Sequence, residues 1–335
     1  MQSSELLMNM LDKAISLNIV IPIYNEVEVI PILVKRLQEV FNEEQRYCHN
    51  IRQVKFIFVD DGSKDNSAQL LYDLLQKYGN SIIVKLSRNF GHQAAVSAGL
   101  AFCNDSDTTV IIDADLQDPP EIIFEMLKKW REGFDVVYGQ RVNRKENRLL
   151  IFFYWIFYRL YKYLTPIDVP MDSGDFCLMS QRVVCKINDL PEKLRFPRGL
   201  RTWVGFKQTG IEYDRPKRAA GKSKYNLKQL YRLATDGITS LSTRPLQLAQ
   251  IFAQIYFLVS VVFLGLILFQ LFFTEDTYLS TEFYLIVILT LMSNCIILFC
   301  MYILGAYIGR TYLEVKSRPN HIVDQVVDLQ IKENG

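Results

Sequence analysis

The chain has 335 residues, of which 50% are hydrophobic, and a formal net charge of +2. This near-neutral charge argues against a nucleic-acid binder, whose domain would be strongly basic, and the length allows one sizeable soluble domain plus further segments. The six cysteines form no C-x-x-C pair, which argues against a zinc site or a disulfide framework and favours a reducing, cytosol-like compartment.

Short apolar runs alternate with amphipathic stretches through the first 140 residues. Runs rich in β-branched residues predict strands at 19–23, 54–59, 81–86, 108–112 and 135–139. Apolar residues at three- and four-residue spacing predict helices between these strands, at 29–41, 67–78 and 121–129. A further helix, rich in small residues, is predicted to end at residue 102. The alternation predicts an α/β fold whose mostly parallel, Rossmann-like sheet carries helices on both faces.

Polar residues follow four of the predicted strands, where each strand passes into a helix. The pairs are Asn25/Glu26, Asp60/Asp61, Arg88/Asn89 and Asp113/Asp115. Because the ends of parallel strands share one edge of a sheet, we expect these side chains to converge on one cleft. Each pair has an alternative role as a helix cap, since Asn, Asp and Ser also cap helices. The occurrence of all four pairs favours a site.

The acidic segment 113–118, DADLQD, is the most carboxylate-rich of these strand ends. Mg²⁺ and Mn²⁺ prefer oxygen ligands, so the segment predicts metal-assisted handling of a nucleoside diphosphate, with a capping cluster as the alternative. A second D-x-D pair, Asp105 and Asp107, precedes its strand and is predicted to be a solvated turn. No G-x-G-x-x-G follows a strand and no P-loop motif occurs, which excludes those two nucleotide-binding motifs.

Aromatic and basic residues characterise the middle of the chain. The charge-free stretch 149–158 is too short to span a bilayer, so residues 147–164 are predicted to form an interfacial helix, with a core helix as the alternative. Short strands are predicted at 177–179 and 211–213, and helices at 182–187 and 198–203. The basic loop 215–225 suits a bound phosphate or an anionic lipid surface, and the two interpretations are compatible.

Two charge-free apolar stretches, 246–273 and 283–309, are long enough to cross a membrane. The intervening loop, 274–282, has three acidic residues and no basic one, whereas Lys and Arg residues flank the outer ends. The positive-inside rule therefore places both termini in the cytoplasm of an integral inner- or plasma-membrane protein. We predict a cytoplasmic catalytic domain (1–225), a juxtamembrane amphipathic helix (226–245), two transmembrane helices (246–309) and a cytoplasmic tail (310–335).

Several motifs taken together resemble a known enzyme family. The segments VIPIYNE (20–26), VDDGS (59–63), RNFG (88–91) and DADLQDPP (113–120) resemble the inverting family 2 glycosyltransferases of the GT-A fold. The segments GQR (139–141) and GKSKY (221–225) resemble its polyprenyl-phosphate branch, which includes dolichol-phosphate mannose synthase and the bacterial GtrB type. The resemblance covers roughly residues 18–318 and implies a GT-A fold and a metal-dependent hexosyltransferase.

The resemblance also implies roles for individual residues. The residues expected around the nucleoside are Pro22, Tyr24, Glu26, Asp60 and Asp61, and Arg88 is also expected to bind the substrate. Asp113 is expected at the ribose or the metal, and Asp115 and Gln117 at the metal, which would be Mg²⁺ or Mn²⁺. The residues expected to hold the lipid phosphate are Arg141, Arg218, Ser223 and Lys224. Asp175 is a departure from many relatives, and this extra carboxylate is expected to act as a base or to orient an arginine or a sugar hydroxyl.

These implications define an expected reaction. A sugar, with glucose from UDP-glucose preferred, would pass to a polyprenyl phosphate, undecaprenyl phosphate, at the cytoplasmic membrane face with inversion. The alternatives are the same chemistry with mannose or an aminoarabinose derivative, a processive synthase, and a non-catalytic scaffold or translocator. Spans without charged residues argue against transport. Gly265, Gly305 and Gly309 in the spans permit a homo-oligomer without requiring one.

Overall fold

The computed structural model describes residues 14–77, 79–142, 173–214, 242, 244–273 and 279–329. These residues fall into two compact units. One unit holds the described residues up to Asp214 together with those from Arg318 onward, and the other holds those from Ser242 to Ser317. The predicted interfacial helix (147–164) and most of the predicted juxtamembrane helix (226–245) lie outside the described residues.

The first unit alternates strands and helices nearly as predicted. Its strands are β1 Ile15–Ile23, β2 Ile51–Asp60, β3 Ser81–Leu86, β4 Thr108–Ile111, β5 Val136–Val142, β6 Ser173–Ser180, β7 Gln208–Asp214 and β8 Val323–Leu329. Its helices are α1 Ile30–Val40, α2 Glu43–Cys48, α3 Ser67–Leu75, α4 His92–Leu100, α5 Ile122–Arg131, α6 Gln181–Asp189 and α7 Pro197–Trp203. The short helix α2 and the strand β8 were not predicted.

The strands form one mixed sheet in the order β7-β5-β6-β4-β1-β2-β3-β8. The pairs β1–β2, β1–β4, β2–β3 and β5–β7 are parallel. The pairs β4–β6, β5–β6 and β3–β8 are antiparallel. The sheet is therefore mostly parallel, as predicted, but an antiparallel strand, β6, lies near its centre.

Helices cover both faces of the sheet because its central strands are apolar on both sides. Ile19 and Ile21 of β1 point to the core beneath α1, α3 and α5, whereas Val20 points to the core beneath α4 and α6. This alternation is expected for a parallel strand whose successive side chains point to opposite faces. Full burial of an aliphatic side chain of this size contributes about 1.5–3 kcal/mol relative to exposure.

Strand β8 comes from the segment that we predicted only as a tail. It pairs antiparallel with β3, and Val327 and Leu329 pack against the core. Ion pairs of Asp328 with Lys55 (3.8 Å) and of Asp324 with Lys85 (3.9 Å) accompany the pairing. The C-terminal segment therefore completes the edge of the sheet.

The segment around Asp105 and Asp107 is a turn, as predicted, but it is not simply solvated. Ser106 is buried, and the Asp107 carboxylate accepts hydrogen bonds from the backbone N–H (2.9 Å) and the hydroxyl (2.8 Å) of Ser16. These bonds connect the start of β4 to the start of β1. This D-x-D pair therefore has a structural role at the N-terminal ends of these strands, opposite the loops that follow them.

The second unit contains the two long apolar helices, α8 Arg244–Phe273 and α9 Leu279–Val315, with 30 and 37 residues. Both are long and apolar enough to cross a membrane. Most of their described side chains are exposed, which is unlike a core helix of a water-soluble protein. Among the described residues, added Cβ atoms at Gly265, Gly305 and Gly309 would meet nothing within 4 Å, so these glycines do not serve close packing between the described parts of the two helices.

Candidate active site

The loops that follow β1, β2, β3 and β4 lie together and are joined by side-chain contacts. The Asn25 N–H donates to Ser63 Oγ (2.9 Å), and the Lys64 N–H donates to Asn25 Oδ1 (2.8 Å), which joins the first two loops. The third loop reaches the fourth through His92 at the start of α4, whose Nε2 lies 3.6 Å from Asp113 Oδ1. The predicted convergence of the four strand ends is confirmed.

Asp61 joins the second loop to the third. Its Oδ1 accepts a hydrogen bond from the Phe90 N–H (2.7 Å). Its Oδ2 accepts from the Gly91 N–H and from the Asn89 side-chain amide, both at 2.9 Å. Both oxygens of this buried carboxylate therefore hold the third loop in place, so its contribution at the expected nucleoside site is to shape that loop.

None of these polar residues caps the helix that follows its own strand. The N-cap residues of α1, α3, α4 and α5 are Val29, Asn66, Gly91 and Glu121, and none of them makes a side-chain capping hydrogen bond. Helix capping therefore does not explain the polar strand ends.

Asp60 ends β2 and is fully buried. Its Oδ1 accepts from the Ser63 N–H (3.1 Å), whereas its Oδ2 has no hydrogen-bond partner among the described residues. A buried carboxylate oxygen is costly unless a donor reaches it, so this atom suits an N–H group of a ligand. Pro22 is buried on the neighbouring strand, and Tyr24 and Glu26 are partly exposed beyond its end.

Arg88 is exposed on the third loop. Its guanidinium lies over the Phe90 ring, 4.0 Å from the ring centroid, and donates to the Asn89 carbonyl (3.0 Å). A cation held over an aromatic ring is partly pre-organised for an anionic partner. The predicted substrate-binding arginine therefore lies on the loop that Asp61 supports.

Asp113 lies in a cluster of carboxylates directly after β4. Burial and the charges of Asp118, Asp175 and Asp115 outweigh the opposing effect of His92 and raise the pKa of Asp113 to about 6. Its Oδ1 is buried and makes no hydrogen bond within the described residues. His92 Nε2 lies 3.6 Å from this oxygen, which is too far for a hydrogen bond, so a bound cation would stabilise the ionised carboxylate further. Asp115 is nearly buried, and its Oδ1 accepts from the Gln117 N–H (3.1 Å).

Asp175 faces this cluster from the start of β6 and is paired on both oxygens. Its Oδ2 accepts from Gln93 Nε2 (3.1 Å) and lies 3.2 Å from His92 Nε2. Its Oδ1 accepts from Arg198 Nε (3.3 Å). Burial alone would raise the pKa of Asp175, but Arg198 and His92 outweigh burial and hold it well below the usual range. A carboxylate with a depressed pKa is a weak proton acceptor, which favours the expected role of orienting an arginine.

The pairing of β6 explains how Asp175 reaches the strand ends. Ile111 at the end of β4 is paired with Cys177 of β6 in antiparallel register. The beginning of β6 therefore lies at the same sheet edge as the end of β4. Parallel-strand reasoning alone does not place the start of a strand at this edge.

Arg141, near the end of β5, is fixed by two neighbours. Its Nε donates to Tyr213 Oη (3.3 Å), and its Nη2 lies 3.6 Å from Asp118 Oδ1. Tyr213 in turn donates its hydroxyl to the buried Asp118. Burial and the Asp118 charge raise the pKa of Tyr213, so its phenol keeps the proton. A Cβ added at Gly174 would lie 2.7 Å from Arg141 Nη2, so the absence of a side chain there makes room for the guanidinium.

The predicted site residues that belong to the described segments thus lie along one edge of the sheet, the one at which β1 to β4 end. Arg218, Ser223 and Lys224, the other residues expected at the lipid phosphate, lie outside the described residues. The site also contains residues that the sequence reasoning did not select: His92, Gln93, Asp118, Arg198 and Tyr213. Asp118 belongs to the acidic segment already singled out, whereas the others are recognisable only by their contacts.

Comparison with known proteins shows the family to which the chain belongs. Residues 18–187 match the family model described as glycosyl transferase family 2. The chain is 40% identical over 326 residues to the uncharacterized glycosyltransferase YkcC of Bacillus subtilis, covering 96% of this chain and 97% of that protein. It is 34% identical over 311 residues to the prophage bactoprenol glucosyl transferase homolog of Escherichia coli, covering 92% and 99%.

A solved structure of glucosyl-3-phosphoglycerate synthase from Mycobacterium tuberculosis, with Mg²⁺ and UDP, matches with a TM-score of 0.47 and 15% identity. That match covers 70% of this chain and 82% of the other. The family match spans β1 to α6, including all four converging loops. The α/β sheet is accordingly GT-A-like, and the chain belongs to glycosyl transferase family 2.

Proposed function

We propose that the protein transfers a glucosyl group from UDP-glucose to a polyprenyl phosphate, undecaprenyl phosphate, and inverts the anomeric centre. The observation that carries this proposal is the near full-length similarity to relatives named bactoprenol glucosyl transferases. The relative from Shigella phage SfX is 35% identical over 312 residues, covering 92% of this chain and 98% of that protein. The similarity therefore includes the C-terminal helices as well as the sheet domain.

The donor nucleoside would bind beside β1 and β2. Asp60 Oδ2 is a buried acceptor without a hydrogen-bond partner among the described residues, which suits a nucleobase N–H. Pro22, Tyr24 and Glu26 border the same loops, and Arg88 supplies a cation for the diphosphate. Asp61 would act indirectly, by holding the third loop.

A divalent cation, Mg²⁺ or Mn²⁺, would be held by Asp113, Asp115 and Gln117. In the part of the chain that the structure describes, no three His, Cys, Asp or Glu side chains are grouped to hold a metal by themselves. Two carboxylates and an amide nevertheless fit Mg²⁺, which usually takes one or two protein carboxylates and completes its shell with substrate phosphates and water. When bound, such an ion neutralises charge on the leaving diphosphate.

The acceptor would need little proton chemistry from the protein. The second pKa of a phosphate monoester is about 6, so the lipid phosphate is largely a dianion at neutral pH and attacks the anomeric carbon directly. The harder task is to bring two anions together. Arg141, fixed by Tyr213 and Asp118, would hold the acceptor phosphate together with Arg218, Ser223 and Lys224. A single in-line displacement gives the inverted, β-linked product from an α-linked donor.

The direct test is to incubate the purified protein in detergent or vesicles with Mg²⁺, undecaprenyl phosphate and radiolabelled UDP-glucose. We expect a labelled lipid product whose formation needs the acceptor lipid and stops with EDTA. Labelled GDP-mannose and a UDP-aminoarabinose derivative, assayed in parallel, identify the donor. The absence of a lipid-linked product with every donor would contradict the transferase proposal.

We also place the catalytic unit and the C-terminal segment on the same, cytoplasmic side of the inner membrane. The supporting observation is that β8, which follows both candidate spans, pairs with β3, which precedes them. Strands of one sheet lie on one side of a bilayer, so the chain crosses it an even number of times. The charge bias around the spans favours the cytoplasm.

This placement predicts a labelling pattern in oriented membrane vesicles. A variant retaining only the exposed Cys48 reports on the catalytic unit, and Gln325→Cys in a cysteine-free background reports on β8. We expect a membrane-impermeant maleimide to label both from the cytoplasmic face only. Labelling of the two positions from opposite faces would contradict the placement.

A further inference from the structure

Arg198 on α7 has no role in the transfer scheme above, yet it belongs to the network of the candidate active site. Its Nε donates to Asp175 Oδ1 at 3.3 Å. The other oxygen of Asp175 accepts from Gln93 and lies 3.2 Å from His92, and His92 Nε2 lies 3.6 Å from Asp113. One chain of polar contacts thus leads from Asp113, a proposed metal-binding carboxylate, to the Arg198 guanidinium.

The pair with Asp175 engages only one edge of the guanidinium. A guanidinium carries five N–H donors in a planar fork, and the bond to Asp175 uses the Nε–H alone. No acceptor within the described ranges is hydrogen-bonded to Nη1 or Nη2, and 25% of the side chain is exposed. An arginine whose Nε is held while its Nη atoms have no acceptor suits the two-point recognition of a phosphate.

Asp175 is held in a fixed position next to this arginine. Only 12% of its side chain is exposed, and both carboxylate oxygens accept hydrogen bonds from protein donors. Removing its charge would leave the Arg198 side chain free to leave the site. Arg141 has a similar arrangement, in which a buried carboxylate, Asp118, lies beside the guanidinium. Two carboxylate-anchored arginines suit a reaction that brings two phosphate-bearing substrates together.

We propose that Arg198 binds a phosphate oxygen of a substrate and that Asp175 is the positioning residue for its guanidinium. The inference deepens the proposed function and rests on it for the identity of the phosphate, which belongs either to the acceptor lipid or to the donor diphosphate. It gives Asp175 a part in substrate binding and none in proton abstraction.

The test compares Arg198→Gln, Arg198→Lys, Asp175→Asn and the Asp175→Asn/Arg198→Gln double variant with wild type. The control is Arg182→Gln, which breaks another arginine–carboxylate pair in the same unit, between Arg182 on α6 and Asp135 just before β5. Thermal melts test whether each variant is folded. Steady-state rates give KM for undecaprenyl phosphate and for UDP-glucose, and calorimetry gives the Kd for UDP.

We expect Arg198→Gln to weaken the binding of one phosphate-bearing substrate by about 10–100-fold. This is the loss in affinity typical of removing a hydrogen bond to a charged group. A raised KM for the lipid alone assigns the acceptor phosphate, and a raised Kd for UDP assigns the donor. Arg198→Lys should recover part of the affinity, and Asp175→Asn should shift the same constant in the same direction. The double variant should be little worse than Arg198→Gln, because the two residues act as a unit.

The base role for Asp175 gives a different result. Asp175→Asn would then lower kcat by about 10²–10⁴-fold with unchanged KM, and its effect would multiply with that of Arg198→Gln. Unchanged substrate constants in Arg198→Gln, with Arg182→Gln also unchanged, would equally overturn the proposal.

A failure of the proposed function is distinguishable from a failure of this inference. If wild-type protein forms no lipid-linked product, calorimetric titration with a short, soluble polyprenyl phosphate and with UDP takes the place of kinetics. Tighter binding of either probe to wild type than to Arg198→Gln would still support the proposed binding of a phosphate by Arg198. Equal binding of both probes would overturn it.

Discussion

Asp113→Asn should lower sugar transfer by at least about 10³-fold, because a bound divalent cation stabilises developing charge by several kcal/mol and each 1.36 kcal/mol is tenfold in rate. The side chain keeps its shape in this variant but loses the charge that would hold the cation. The affected oxygen, Oδ1, makes no hydrogen bond within the described residues, and the change weakens only its 3.6 Å contact with His92 Nε2.

The same variant should not lose stability in the metal-free state. Because burial raises the pKa of Asp113 to about 6, above its ordinary value, ionisation at neutral pH opposes folding when no cation is present. In EDTA, wild-type protein should therefore lose stability relative to Asp113→Asn as the pH rises through about 6. Melting curves across this range measure the difference. In Mg²⁺, wild type should gain stability and the variant should not.

The matched control is Asp105→Asn, the same change in the other D-x-D pair. Asp105 is exposed, and its carboxylate makes a long contact of 3.4 Å with the Asn18 side-chain amide. We expect nearly wild-type turnover and an unchanged response to Mg²⁺. Wild-type turnover in Asp113→Asn, or an equal loss in both variants, would contradict the assignment of the metal-binding carboxylate.

Gly62→Ala should damage both stability and turnover, since this glycine lies where the second loop touches the third. Its φ of +64° is in the left-handed region, and an added Cβ would lie 2.4 Å from the carbonyl carbon of Arg88 and 2.7 Å from the Asn89 nitrogen. Those atoms belong to backbone and cannot rotate away as a side chain would. We expect a loss of about 2–5 kcal/mol from backbone strain and overpacking together.

The third loop must move to accept that methyl group, and it carries the N–H groups that bond Asp61 and leads directly to His92. A misplacement of about 1 Å in such a support can cost about 10²-fold in rate. Denaturant unfolding and initial rates at a temperature where the variant is folded separate the two effects.

Gly133→Ala provides the comparison for backbone strain alone. Gly133 also has a positive φ, +95°, but an added Cβ there would meet none of the described residues within 4 Å. We expect it to lose about 1–2 kcal/mol of stability from the left-handed conformation while keeping its turnover. If Gly62→Ala behaved like Gly133→Ala in both measurements, the contact between the two loops would not support the site.

The site divides into residues that local patterns could identify and residues that they could not. Asp60, Asp61, Asp113 and Asp115 follow apolar runs, and the rule that parallel strand ends share an edge brings them together correctly. The rule does not say what each carboxylate contacts. Asp61 bonds backbone of the third loop, whereas Asp60 and Asp113 each have an oxygen without a hydrogen bond in the described residues.

The amino-acid sequence by itself determined the alternation of strands and helices, the two apolar spans and the carboxylates at the strand ends, because periodicity, segment length and charge are local properties of the chain. Only the tertiary structure decided that β6 and β8 run antiparallel to their neighbours, and that His92, Gln93 and Arg198 are partners of Asp175. Strand order and side-chain pairing depend on contacts between residues far apart in the chain, and no local pattern encodes which distant residue will meet a given carboxylate.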